Sequence, residues 1–266
     1  MFNPWKNTLD NYQLIMFIDI STYCNAGCPA CHRTDINGLG KVGWLPNIQW
    51  TLEEFKKAYP PEFILQVAQW EICGTWGDPL MNKDLFEMCR YIIEYNPIAE
   101  IQIDTNGSLR SLTWWEELGK LSNNSSIRVD FAVEGINQEM HAKYRRKTEL
   151  NKVLANMKKL TDSGGRATAF CVVHKHNQNH LKEIRDLCYA HGAEKVDFVE
   201  SNRFNKGPTF EFTDENGNID ILEQVEEPYE KPGYVRDAQA DWKTRIEFQP
   251  WYIKMKKEVS EVKDED

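Results

Sequence analysis

The chain has 266 residues and a net charge of −9, long enough for one large domain with a full core, or a core plus an extension. The acidic balance argues against nucleic acid as a partner, because such binding relies on neutralising phosphates, and no apolar run approaches the roughly 20 residues of a membrane span. Seven cysteines, an odd number, and an N-terminus without secretion-signal features argue against a disulfide framework and for a reducing, cytoplasmic setting.

In chain order, Leu14 to Ile20 (LIMFIDI) reads as a buried strand. A cysteine-rich loop follows, then a Gly-containing connection from His32 to Trp50. Thr51-Leu52-Glu53-Glu54 is a capping-box sequence that starts a helix. Trp70 to Cys73 reads as a second strand, Lys83 to Tyr95 as a helix, and Glu100 to Ile103 as a third strand. Leu112 to Leu121 is helical, with Trp114 and Trp115 assigned to packing, and Ile127 to Val133 is a fourth strand. Gln138 to Asp162 is a helical stretch with a break near Lys147, stopped by Gly164-Gly165. Ala167 to Val173, Asn179 to Ala190 and Lys195 to Glu200 complete the pattern as strand, helix and strand.

Six strands alternating with helices predict right-handed units around a parallel sheet, whose chemistry sits at the C-terminal strand ends. The expected core spans residues 1–200 and the extension residues 201–266. In the extension, Phe210 to Thr213 and Ile219 to Leu222 flank an Asn-Gly turn and predict a β-hairpin. Arg245 to Tyr252 is aromatic and is expected to pack back on the core, and Glu261 to Asp266 forms a charged tail.

Cys24-Asn25-Ala26-Gly27-Cys28-Pro29-Ala30-Cys31 places three cysteines within eight residues. A [4Fe–4S] cube usually takes four Cys ligands; a three-thiolate loop leaves one iron open to a substrate or cofactor. Structural zinc wants four ligands, commonly as two separated C-x2-C knuckles, and no second knuckle exists. Cys73, Cys89, Cys171 and Cys188 lie scattered in apolar contexts and read as small buried hydrophobes. Lys143, Arg145, Arg146 and Lys147 form a local basic run, either a binding patch or a solvated helix end.

The C-x3-C-x2-C spacing resembles that of the radical SAM superfamily. The resemblance covers about Leu14 to Glu200 and implies a partial (β/α)6 TIM-like barrel with a short C-terminal extension. It implies a single [4Fe–4S] cluster on Cys24, Cys28 and Cys31, with S-adenosylmethionine (SAM) chelated to the open iron. Reductive cleavage of SAM would give a 5′-deoxyadenosyl radical that abstracts hydrogen from a small-molecule or peptide substrate, with an external electron donor. Gly74-Thr75-Trp76-Gly77-Asp78-Pro79 resembles the family's glycine-rich motif for the methionine amino group, with Asp78 in the acidic position. Asn106 stands in a T-N-G after strand three, and Glu134-Gly135 matches the acidic-Gly pair that would reach the ribose, with Asp130 as the alternative. Arg145 matches the arginine that would pair with the SAM carboxylate, with Arg146 as competitor, and Asn177 matches a common Asn after strand five.

Two positions depart from the family pattern. Ala30 replaces an aromatic that would meet the adenine, leaving Tyr23 or His32 to compensate, and Ala132 replaces a serine. His174, His176 and His180 are read as polar loop or substrate contacts in preference to a metal site. Cys73, Tyr144 or Cys171 would serve as a second hydrogen donor if they faced the cavity. The competing reading is a non-enzymatic iron–sulfur electron carrier or a zinc-stabilised interaction module; a third is a radical SAM core that needs a partner protein to deliver substrate.

Overall fold

A computed structural model of the protein describes residues 14–122, 126–204, 206–232 and 235–237. The expected aromatic segment Arg245 to Tyr252 and the charged tail lie outside the described residues. Six strands, β1 (Leu14–Ile18), β2 (Val67–Ile72), β3 (Glu100–Thr105), β4 (Ser126–Ala132), β5 (Arg166–Val173) and β6 (Lys195–Glu200), follow one another in space as in sequence. Every neighbouring pair is parallel. This is the partial barrel: among the described residues β1 pairs only with β2, so the sheet is not closed.

The helices α1 (Leu52–Ala58), α2 (Pro61–Ile64), α3 (Leu85–Tyr95), α4 (Leu112–Ser122), α5 (Gln138–Tyr144), α6 (Leu150–Asp162) and α7 (Leu181–Ala190) occupy the connections. The capping box opens α1: the Thr51 hydroxyl accepts from the Glu54 amide at 3.2 Å, and the Glu54 carboxylate accepts from the Thr51 amide at 2.8 Å. Strand side chains alternate between faces. One face carries Trp70, Ile72, Ile101, Ile103, Val129 and Phe131, all buried in the core. The other carries Glu71, Gln102, Asp104, Arg128 and Asp130 and looks into the barrel. No described helix is long and apolar enough to cross a membrane.

Two details differ from expectation, the start of β2 and a further short strand, while the expected break near Lys147 is found. Strand β2 starts at Val67, three residues early, with polar Gln69 and Glu71 interrupting an apolar strand whose Val67, Trp70 and Ile72 are buried. The long helix is two, α5 and α6, parted by Lys147 at φ 63° and by the Thr148 hydroxyl donating to the Arg145 carbonyl at 2.6 Å. A short strand after the hairpin, β9 (Val235–Asp237), pairs parallel with β6.

The hairpin itself, β7 (Thr209–Thr213) and β8 (Ile219–Glu223), is antiparallel. It does not stand apart. Gly38 N–H donates to the Thr213 carbonyl at 3.0 Å, and Thr213 N–H to the Ile36 carbonyl at 2.7 Å, joining the hairpin to the connection after the cysteines. Phe212 and Leu222 pack with Leu39 against Ala26, Cys28 and Ala30. The connection and the hairpin thus form one cover over the cysteine loop.

Candidate functional site

The C-terminal ends of the strands open onto a cavity of about 690 Å³. Cys24, Cys28 and Cys31 all line it, and all three thiols are free. Their loop is held from several sides: Gly27 N–H donates to the Arg146 carbonyl at 3.1 Å, Asn25 Nδ2 to Ser108 Oγ at 2.8 Å, and Ala26 N–H to the Cys24 sulfur at 3.4 Å. Burial pushes the Cys24 thiol up to about 12 and the Cys28 thiol up to about 11, with Arg145 pulling the latter down. Bound iron overrides such preferences and holds thiols deprotonated. Among the described residues, no group of three or more His, Cys, Asp or Glu converges on a single metal ion. Three soft thiol donors ringing one wall of an open cavity fit an iron–sulfur cube with an uncapped corner.

The ends of β2 and β3 are clasped by one side chain. Asp78 is buried, and its carboxylate accepts from Leu80 N–H, Thr105 Oγ1 and Asn106 N–H, each at 2.9 Å, and from Asn106 Nδ2 at 2.5 Å. Asn106 Nδ2 also reaches Asn25 Oδ1 at 2.8 Å and lies 3.9 Å from the Cys24 sulfur. Burial raises the Asp78 carboxyl against the pull of these donors. Gly74, Thr75, Gly77, Asp78 and Asn106 line the cavity. A Cβ on Gly77 would sit 2.2 Å from the Ser21 carbonyl oxygen, so only glycine allows this turn against the residues leading into the cysteine loop. Trp76 departs from the expected set: its ring packs edge-on to Trp44 at 5.3 Å and is absent from the cavity wall, while its backbone N–H donates to Asp19 Oδ1 at 3.1 Å.

The end of β4 is built differently. Glu134 is fully buried and is not part of the cavity wall. Its Oε1 accepts from Arg145 Nε at 2.8 Å and lies 2.8 Å from Nη2 as an ion pair, and its Oε2 has no hydrogen-bond partner. Arg145 lines the cavity, and its Nη1 donates to the Cys28 sulfur at 3.6 Å. Burial opposes the charge on Arg145, yet Glu134 and Cys28 raise its pKa well above the ordinary value. Arg146 faces away, to Glu215 and Asp220 of the hairpin, and Lys143 also meets Asp220 at 2.7 Å. The basic run is thus largely paired with acids of the cover. Asp130, unlike Glu134, does line the cavity.

Other expected groups fall outside the cavity wall. Tyr23 and His32 are not on it, and Ala30 is buried under the cover. His174 is buried, ring to ring with Tyr144 at 4.8 Å and His176 at 5.6 Å, and Asn177 ties β5 to the Glu134 carbonyl at 3.2 Å. Of the three candidate hydrogen donors, Cys73 lines the cavity, whereas Tyr144 and Cys171 do not. Burial, then Asp104, Asp19 and Glu71, push the Cys73 thiol up to about 12. Sequence reading also passed over Gln102, Arg128 and Asp197 on the inner wall. A signal existed: polar residues at every second position of otherwise apolar strands, as in Ile101-Gln102-Ile103-Asp104 and Ile127-Arg128-Val129-Asp130.

An open parallel α/β half-barrel with three cysteines at its mouth defines a cluster-binding class of protein. The sequence pattern described as Radical SAM superfamily matches residues 18–188, and the chain belongs to that superfamily. Its cofactors are accordingly a [4Fe–4S] cluster and SAM. The chain is 24% identical over 191 residues to the GTP 3′,8-cyclase of Aliarcobacter butzleri (strain RM4018), covering 69% of this chain and 55% of that protein. It is 26% identical over 202 residues to the GTP 3′,8-cyclase of Nautilia profundicola (strain ATCC BAA-1463 / DSM 18972 / AmH), covering 73% and 54%. Among solved structures, Streptococcus suis SuiB bound to S-adenosylmethionine matches with a TM-score of 0.59 at 15% identity, covering 92% of this chain and 48% of that one. Native anSMEcpe with bound AdoMet and Kp18Cys peptide matches with a TM-score of 0.55 at 16% identity, covering 74% and 56%. The chain thus spans about half the length of these relatives.

Proposed function

We propose that this chain is a radical SAM enzyme that acts on a small-molecule or peptide substrate held in the barrel cavity, with a single cluster on Cys24, Cys28 and Cys31. The observation that carries this is the placement of those three free thiols, on one loop, at the wall of the cavity at the strand ends. When bound, the cluster and SAM supply a 5′-deoxyadenosyl radical; the protein supplies binding, orientation and exclusion of water.

The chain's own residues divide that work. Gly74, Thr75 and Gly77 line the cavity, and their backbone carbonyls would hold the methionine ammonium. Asp78 and Asn106 hold this turn to the cysteine loop. Asp130 replaces Glu134 as the carboxylate that reaches the ribose, because it faces the cavity and Glu134 does not. Arg145 would pair with the methionine carboxylate through whichever N–H groups its other partners leave free. Gln102, Arg128 and Asp197 on the cavity wall would meet substrate, and Cys73 is the candidate hydrogen donor that lines the cavity. The β7–β8 hairpin acts as a cover over the cluster loop. Electrons come from an external donor in a reducing, cytoplasmic setting.

The deciding experiment is anaerobic reconstitution with iron and sulfide, addition of dithionite and SAM, and quantification of 5′-deoxyadenosine beside a Cys28→Ala control. Cluster-dependent 5′-deoxyadenosine that disappears in Cys28→Ala is the expected result. A reduced four-iron cluster whose EPR signal ignores SAM, with no cleavage, would establish an electron carrier instead, and zinc without a cluster would establish the metal-stabilised module.

A further inference from the structure

We propose that Arg145 sets the reduction potential of the cluster through its hydrogen bond to the Cys28 sulfur, and that Glu134 is the positioning residue that aims it. The inference rests on the reading that Cys28 is a cluster ligand. It gives Glu134 a role other than the ribose contact suggested by its motif.

The geometry supplies the reason. A guanidinium offers five N–H donors in a rigid plane. In Arg145 one of the five, on Nε, goes to Glu134 Oε1 at 2.8 Å, Nη2 lies 2.8 Å from the same oxygen as an ion pair, and Nη1 donates to the Cys28 sulfur at 3.6 Å. Because the plane is rigid, fixing the Nε and Nη2 edge on Glu134 fixes where Nη1 points. Glu134 is itself immobile: it is fully buried, its N–H donates to His141 Nδ1 at 3.3 Å, and its carbonyl accepts from Asn177 Nδ2 at 3.2 Å. His141 in turn meets Thr148 at 2.9 Å, and the Thr148 hydroxyl donates to the Arg145 carbonyl at 2.6 Å. Side chain and backbone of Arg145 are therefore held by one connected frame at the break between α5 and α6.

The electrostatic consequence follows from where the charge sits. Adding one electron to a cluster makes it more negative. A buried cation and a donor on a ligand sulfur favour that state and raise the potential. Glu134 opposes the effect through its own charge while supporting it through geometry. Removing the cation and removing the counter-charge must then shift the potential in opposite directions.

The test uses the full chain, reconstituted anaerobically with iron and sulfide, without SAM, and titrated with dithionite while the reduced cluster is followed by EPR. Iron and sulfide analysis confirms a four-iron cluster in each variant. Arg145→Met is expected to move the midpoint to more negative potential. Glu134→Gln retains an oxygen acceptor for Nε but removes the opposing charge, and is expected to move the midpoint to more positive potential. Misfolding alone does not produce shifts of opposite sign. Midpoints that coincide with wild type, or that move in the same direction, overturn the inference while leaving the proposed function intact. If Arg145→Met fails to assemble a cluster, Glu134→Gln decides alone, and an unmoved or more negative midpoint overturns the inference. A wild-type chain that forms no four-iron cluster overturns both.

Discussion

The two sides of the cavity mouth solve the same problem with different chemistry. On the β1–β3 side, one buried carboxylate, Asp78, gathers backbone and side-chain donors that carry no formal charge. On the β4–β5 side, a buried guanidinium meets a buried carboxylate, and further ion pairs run from Arg146 and Lys143 to the hairpin. The first side is rigid through many short bonds to one centre. The second is a chain of charges and histidines, and is the side on which pH and salt act. Both acidic motif residues, Asp78 and Glu134, hold protein to protein, yet Asp78 also lines the cavity, with Asn106, Asp130 and Arg145, whereas Glu134 does not.

The comparison breaks most visibly at Asp78. Asp78→Ala strands several buried donors at once. Each orphaned donor costs about 1–3 kcal/mol, so a loss of about 4 kcal/mol in urea unfolding is expected. If Asp78→Ala costs no more than a hairpin ion pair does, the two sides are equivalent and the contrast fails. Next comes Gly77→Ala, whose new methyl would lie 2.2 Å and 2.7 Å from the carbonyl oxygens of Ser21 and Tyr23. Forcing those segments apart is expected to cost about 3 kcal/mol and to lower the iron bound on reconstitution.

The order of strands and helices was legible because each element is local: alternating apolar runs, a capping box at Thr51, glycines after helices. The cysteine loop was legible for the same reason. What each motif acid touches was not. Asp78 finds Thr105 and Asn106 only because β2 and β3 pair in a particular register, and Glu134 finds Arg145 only because the chain leaves helix α5 there. Trp76 sat within a ligand motif but turns to Trp44, a partner supplied by a connection with no periodic signal. Cys73 read as a core residue because its neighbours Ile72 and Trp70 are apolar; only strand alternation puts it on the cavity side.

The charged side makes its own prediction about pH. Burial holds His141 down to about 3, its Nδ1 accepting the Glu134 N–H, and burial likewise holds His174 down to about 3 and His176 down to about 4. A histidine in the unfolded chain titrates near 6.5, so between there and the folded value the unfolded state binds more protons. The stability from neutral histidine is therefore complete above about pH 6.5 and is lost as pH falls toward the folded values, at about 1.4 kcal/mol per pH unit for each histidine. Urea midpoints at pH 7.5, 6 and 5 should fall in that sequence, and His141→Gln should remove one histidine's share of the slope. A flat profile would mean that these rings carry protons in the folded protein and that the frame around Arg145 differs from the one described.

The smallest effect belongs to the cover. Asp220 accepts from Lys143 at 2.7 Å and also meets Arg146, whose guanidinium lies 5.0 Å from the centre of the Phe212 ring. These side chains are only partly buried, Arg146 at 15% and Asp220 at 26% exposure, so the pairs are screened and each contributes about 1 kcal/mol or less. Asp220→Asn should therefore hardly change global stability. Its effect should be local, because Phe212 and Leu222 are what close over Cys28. Loosening the hairpin should speed thiol labelling of Cys28 in the iron-free protein several-fold, and added salt should produce the same acceleration in wild type but little more in the variant. If labelling is indifferent to both, the cover is held by its apolar contacts and its backbone bonds to Ile36 and Gly38, and charge on this side of the mouth matters only at Arg145.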